Sequence, residues 1–305
     1  MSKVALIIIY NHQYNKNIPV LEKIYHNRFT NIYHLVPFYT GDLSNVISVY
    51  ENSFYFQGYV TQSLGSFFDD KYDHYFFVAD DLLLNPAINE NNYAGFFKLK
   101  AGTCFIPELI NLHETDLNKR WERVADGFNY NIELSGVEAK SFLPDYNTAL
   151  AIFNKFGLSV GPLNFRQIWD APKTLKDWFT MPLREVLRYL KNLITKQQHH
   201  LRYPVVGGYS DVFIISADTI KQFSHYCGIT AVTKLFVEVG LPTSLVLSAN
   251  EIVTETDLNL KGFPLWTAQD YTILDKYNNS LTDLVNNFPE NLLYIHPIKL
   301  SKWKA

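Results

Sequence analysis

Cysteine is nearly absent from this chain of 305 residues: Cys104 and Cys227 are the only two. Such a pair builds no disulfide framework and has no metal-ligand spacing. It fits a reducing compartment. Long apolar runs are missing as well. No segment approaches the roughly 18 to 20 apolar residues that a membrane-spanning helix needs. Residues 4–10, Val-Ala-Leu-Ile-Ile-Ile-Tyr after Lys3, reach only the lower limit of a secretory leader core. Asn11-His12-Gln13 follows in place of a small-residue cleavage site, so the run reads as a first buried strand. An excess of one charge is also lacking: 27 basic against 30 acidic residues give a net charge of -3, which argues against a broad nucleic-acid surface. There are no internal repeats and no low-complexity segments.

What is present is apolar and aromatic. Hydrophobic residues make up 47% of the chain, enough for a sizeable core, and 22 Phe and 20 Tyr bring aromatics to 15%. Most of these suit a core, while exposed Tyr and Trp suit flat ligands such as sugars and bases. The first third alternates apolar strands and amphipathic stretches. Strands are expected at 4–10, 31–39, 46–50 and 53–56, and helices at 18–26 and 59–68. Later, 212–216 reads as a strand and 218–226 and 231–239 as helices, while 244–248 reads as either. This pattern predicts an α/β fold with a mostly parallel central sheet flanked by helices. It is read as a single domain over 1–305: a first half at 1–90, a helical insertion at 91–203 with pieces around Trp121, and a second half with a C-terminal tail at 204–305.

Two stretches stand out. In Tyr75-Phe76-Phe77-Val78-Ala79-Asp80-Asp81 an apolar, doubly buried strand runs into two acids. Carboxylates there need a cation, a ligand, a capping role or an exit to solvent, and ligands collect at the carboxyl ends of such strands. Between Pro172 and Arg202, apolar residues recur at helical spacing among seven basic and two acidic side chains. Either that stripe packs on the protein's own core with its charges solvated, or the block 172–202 makes peripheral contact with anionic lipid.

The first strand, the Ala79-Asp80-Asp81 motif and the late tail His296-Pro297-Ile298-Lys299-Leu300-Ser301-Lys302-Trp303 together resemble nucleotide-sugar glycosyltransferases of the GT-A fold, of the bacterial surface-polysaccharide type. The resemblance covers 1–90 and 204–303. The tail is similar to the His-x-x-Gly-x-x-Lys-Pro-Trp ending of the glycogenin-like and galactosyltransferase branch, with Lys299 in place of glycine and no proline before Trp303. It implies a GT-A-like fold with a nucleotide-binding half and an acceptor-side half. It further implies Mn2+ or Mg2+ held by Asp81, Asp80 and His296, and a nucleotide-sugar donor, UDP-linked, contacted by Tyr10, Asn11, Tyr39, Asp80, Lys299 and Lys302. For an inverting enzyme, Asp211 and Glu238 are the candidate bases for deprotonating a glycan or lipid-linked acceptor; a retaining enzyme needs no such base. The implied setting is cytoplasmic, at or near the inner face of a membrane.

Each residue also has a plainer reading. His296 could be a structural histidine, the lysines a solvated tail, and Tyr10 and Tyr39 ordinary strand ends. A sugar nucleotidylyltransferase is disfavoured because the loop Asn11-His12-Gln13-Tyr14-Asn15 has no glycine to hold a triphosphate. An aspartyl-phosphate phosphatase is disfavoured because the first strand ends Ile9-Tyr10-Asn11, without the required acids. A binding protein that keeps the fold without turnover is the remaining alternative.

Overall fold

The computed structural model describes residues 3–113, 123–169 and 174–304. Trp121, Pro172 and Lys173, which figure in the expected insertion and basic block, lie outside the described residues.

The chain opens with β1 (Val4–Ile9), six apolar residues all buried. Helix α1 (Ile18–Tyr25) carries Pro19 in its first turn and turns Ile18, Leu21 and Tyr25 inward. Strands β2 (Ile32–Pro37) and β3 (Val46–Val49), helix α2 (Gln57–Phe67) and strand β4 (His74–Ala79) follow. Next come β5 (Leu83–Leu84), α3 (Tyr93–Phe96) and β6 (Thr103–Phe105). The middle holds α4 (Arg123–Asn129), α5 (Tyr146–Lys155), β7 (Leu163–Asn164), α6 (Phe165–Ile168), α7 (Leu175–Thr180), α8 (Leu183–Thr195) and β8 (Gln198–His199). The last part comprises β9 (Val212–Ser216), α9 (Ala217–Val232), α10 (Val237–Ser248), β10 (Glu251–Val253), β11 (Lys261–Pro264), α11 (Ala268–Tyr271), α12 (Leu281–Asn286) and β12 (Leu292–His296).

Seven strands form the central sheet in the order β10-β6-β9-β4-β1-β2-β3. β1 lies parallel to both β2 and β4, β2 to β3, and β6 to β10. β9 alone runs against its neighbours β4 and β6. Alternate side chains of the unbroken apolar strands feed two separate cores, one on each face, as expected of a sheet covered on both sides. Val4, Leu6 and Ile8 join the α1 side. Ala5, Ile7 and Ile9 join the side covered by α2, α9 and α10. Phe77 of β4 and Phe213 of β9 stack at 4.5 Å and 12° within the second core. A third core lies between α10 and the middle segment, through Val239 and Val246 against Val124 and Phe153. Helix α10 is therefore apolar nearly all round, which is how a helix covered on all sides reads.

Two expectations need correction. Residues 53–56 do not form a strand: the side chain of Asn52 accepts from the Phe54 amide and winds 53–55 into a turn of 3-10 helix. The helix expected at 231–239 is broken, because Lys234 takes φ 59° between α9 and α10. Of the two readings of 244–248 the helix is the one found: these residues end α10, which continues through Pro242. Within 91–203, β6 belongs to the central sheet. Among the described residues, no helix is long and apolar enough to cross a membrane.

Candidate functional site

Topology brings three distant parts of the chain to the carboxyl end of β4. Because β9 is antiparallel to β4, with Val212 opposite Val78, its first residues lie beside the last residues of β4. The Ala79 amide donates to the Asp211 carbonyl at 2.8 Å and so fixes Asp211 at that level. β12 pairs antiparallel with β5, Ile295 opposite Leu83, which carries His296 to the level of Asp81. The Ile298 amide closes the arrangement on the Asp81 carbonyl at 2.6 Å.

His296 is the centre of the result. Its Nε2 lies 3.1 Å from Asp81 Oδ1 and 3.8 Å from Asp211 Oδ1. Its Nδ1 hydrogen-bonds with the Tyr209 hydroxyl. Burial disfavours the charged imidazole, but Asp211 and Asp81 outweigh it and raise the histidine above its ordinary pKa. The Asp211 carboxyl is pushed up to about 6; burial is the main cause, His296 opposes it, and Asp81 and Glu238 add to it. The Tyr209 ring stacks on Tyr294 at 6.0 Å and 13°. Gly262 permits this packing, because a Cβ there would meet the Tyr294 ring at 2.0 Å.

Asp80 and Asp81 have different surroundings. The Asp80 Oδ2 accepts from the Asn17 side-chain amide at 2.8 Å. Burial, and secondarily the charge of Asp81, raise it to about 7, while the Asn17 amide and the Asn11 backbone hold it down. Asp80 is thus tied to the β1–α1 loop, whereas Asp81 meets His296. Among the described residues, no group of three or more His, Cys, Asp or Glu side chains is placed to hold a metal ion. What the site does offer is a pair, the Asp81 carboxylate and the His296 imidazole. Hard cations such as Mg2+ are commonly held by one or two carboxylates, with phosphate oxygens and water completing the shell, and imidazole is acceptable to Mn2+. The pair fits a cation of that kind when a phosphorylated ligand supplies the remaining oxygens.

The other expected residues fall as follows. Tyr10 is fully buried, with its hydroxyl on His34 Nδ1 at 2.9 Å, so its ring has no face for a base to stack on. Asn11 contributes its backbone amide to Asp80. Tyr39 is half-buried, and its hydroxyl accepts from the Leu43 amide. Glu238 lies in the first turn of α10, where Arg123 Nε approaches its carboxylate to 3.1 Å. That ion pair leaves Asp211 the better placed of the two candidate bases. Lys299 and Lys302 line a cleft of about 340 Å³ with Trp303 and residues of 271–279.

The sequence reading missed an aromatic rim at the carboxyl ends of β1 to β3. Phe38 and Tyr50 are exposed and meet edge-on at 5.7 Å. Phe38 takes φ 54°, rare for a bulky residue, and its carbonyl accepts from Gln13 Nε2 at 2.8 Å. His12 and Tyr14 meet similarly at 5.5 Å. Backbone held in such a conformation concentrates at ligand sites. The apolar run Pro37-Phe38-Tyr39 carries no signal that Phe38 faces solvent.

No family model matches this chain, and no curated protein sequence matches it. Among solved structures, mouse xyloside xylosyltransferase 1 in its apo form overlaps 96% of this chain and 96% of its own, at 9% identity and a TM-score of 0.32. A likeness that loose leaves the functional reading to the geometry of the site.

Proposed function

We propose that this protein is a glycosyltransferase that moves a sugar from a nucleotide-sugar donor, UDP-linked, to a hydroxyl of a glycan or lipid-linked acceptor in the synthesis of a surface polysaccharide. The observation that carries this reading is the meeting of Asp81, His296 and Asp211 at the carboxyl end of β4, beside an aromatic rim suited to a base. In this reading the donor's base lies on the rim near Phe38 and Tyr50, and its diphosphate lies toward Asp81 and His296. A divalent cation held by those two residues would neutralise charge on the departing diphosphate. Asp211 accepts the proton of the acceptor hydroxyl as its oxygen bonds to the anomeric carbon, while the bond from that carbon to the diphosphate breaks and the electron pair leaves with the phosphate. Tyr209 orients the imidazole through Nδ1.

The test is release of nucleoside diphosphate from a panel of nucleotide-sugars, with and without Mn2+. Asp81→Asn and Asp211→Asn should each lower turnover roughly a hundredfold or more while the thermal transition is retained. A nucleotide diphosphate that stabilises the protein while no nucleotide-sugar turns over would replace this reading with that of a binding protein.

A further inference from the structure

The described residues of 163–199 form a flap. β7 and β8 close it at the base, Leu163 opposite His199 and Asn164 opposite Gln198, and it carries α6, α7 and α8. On α8 the spacing sorts Leu183, Leu187, Leu190 and Ile194 onto one face and Glu185, Arg188 and Asn192 onto the other. A helix of this kind ordinarily turns its apolar stripe inward. Here the orientation is reversed. Asn192, 3% exposed, is the buried residue of α8, and its side-chain oxygen accepts from His199 Nε2 at 3.0 Å. The Arg188 guanidinium lies 4.4 Å from the centre of the Trp169 ring. The Tyr189 ring packs edge-on against Phe165 and Trp178. The polar face thus packs on the flap's own residues, and the apolar face is left to solvent.

Helix α7, joined to α8 by the Trp178–Tyr189 contact, adds two more exposed apolar residues. Leu175 is 79% exposed, Phe179 88% and Ile194 82%, with Leu183, Leu187 and Leu190 between them. Six large exposed apolar side chains on two adjoining helices mark an interaction surface. Its flanks are basic: Lys176, Arg184, Lys191 and Lys196 are all exposed. On α7 and α8 the two acids are engaged elsewhere, Glu185 3.7 Å from Arg188 and Asp177 in the cap of α7 at Thr174. A second copy of the chain, related by a two-fold axis, would set this basic rim against itself. An anionic bilayer complements it: the apolar side chains enter the acyl boundary and the cations meet lipid phosphates.

We infer that the α7–α8 flap docks the protein onto an anionic lipid surface, with Leu175, Phe179, Leu183, Leu187, Leu190 and Ile194 inserted and the flanking Lys and Arg on headgroup phosphates. The inference is independent of the reaction assigned to the Asp81–His296 site. The experiment is co-sedimentation of the full chain with phosphatidylcholine vesicles, with and without phosphatidylglycerol. The comparison variants are Leu187→Glu with Ile194→Glu, and Arg184→Glu with Lys191→Glu. All four positions are exposed, and circular dichroism and thermal melting check the fold. The wild type should bind vesicles containing phosphatidylglycerol and bind less as salt is raised. Each double variant should weaken partitioning roughly tenfold or more. Three results would overturn the inference: no binding of the wild type to anionic vesicles, equal binding by folded variants, or a wild-type dimer that Leu187→Glu with Ile194→Glu dissociates while vesicles bind neither form.

Discussion

Two glycines with opposite surroundings give a quantitative check on how His296 is positioned. Gly262 sits at an irregularity in the β11–β12 pairing, where Lys261 faces Leu292 and Gly262 faces Tyr294. A Cβ added there would lie 2.0, 2.3 and 2.5 Å from three atoms of the Tyr294 side chain. Ordinary contact needs about 3.5 Å or more, so the ring or the strand must give way by over an ångström. The ring has little room, because it is buried against Tyr209. Overpacking of this kind costs about 1 to 3 kcal/mol. Expelling the ring would cost about 3 to 5 kcal/mol, as for loss of a large buried aromatic. Gly65 is the control: it lies exposed in α2 with nothing within 4 Å of a new Cβ. Alanine there should stabilise the protein by about 1 kcal/mol through helix propensity alone. For a chain of this size each kcal/mol moves the melting temperature by roughly 2 °C. Gly262→Ala should therefore melt roughly 2 to 10 °C below wild type and Gly65→Ala slightly above it. Because Tyr294 is two residues before His296, Gly262→Ala should also reduce turnover at the site. A Gly262→Ala protein that melts with the wild type would refute the packing argument.

Other consequences are simpler to check. Phe77→Ala removes one half of the Phe77–Phe213 stack from the second core and should cost about 3 to 5 kcal/mol in urea unfolding; a loss below 1 kcal/mol would mean the core collapses around the gap. His34 is fully buried between Tyr10 and Glu22, and its pKa is lowered, mainly by burial and against the pull of Glu22. Below its unfolded pKa of about 6.5 the unfolded chain binds the proton more readily, so its stabilising contribution is present above that pH and lost as pH falls through the lowered folded value. The stability advantage of wild type over His34→Leu should accordingly shrink from pH 7.5 to pH 5.5, and an advantage that stays constant would contradict the burial of a neutral imidazole.

Much of the sheet could be read directly because β1, β4 and β9 are unbroken apolar runs, which local pattern identifies. The direction of β9 could not, since it depends on pairing with β4 far away in sequence, and that reversal is what delivers Asp211. Asp80 and Asp81 were visible as acids at a strand end, but their separate fates turn on Asn17 capturing one of them and His296 the other. Tyr10 reads from sequence as a donor contact or an ordinary strand end, and the buried His34 that pairs with its hydroxyl comes from the next strand, which local pattern does not reveal. The apolar stripe of α8 was evident from its spacing, whereas the packed side is set by Asn192, His199 and Trp169, which periodicity does not rank.

The reversed strand and the small β11-β12-β5 sheet also set the order in which the site can come into being. Asp81 and His296 are 215 residues apart, and they meet only when β12 pairs with β5. Contacts of such long sequence separation form against a loop-closure cost and belong to the slow part of folding. A chain emerging during synthesis can therefore complete β1 to β4 and their helices while Asp81 still has no imidazole beside it. Competence of the site becomes a report that the whole chain has folded, and any activity seen in a preparation measures its fully folded fraction.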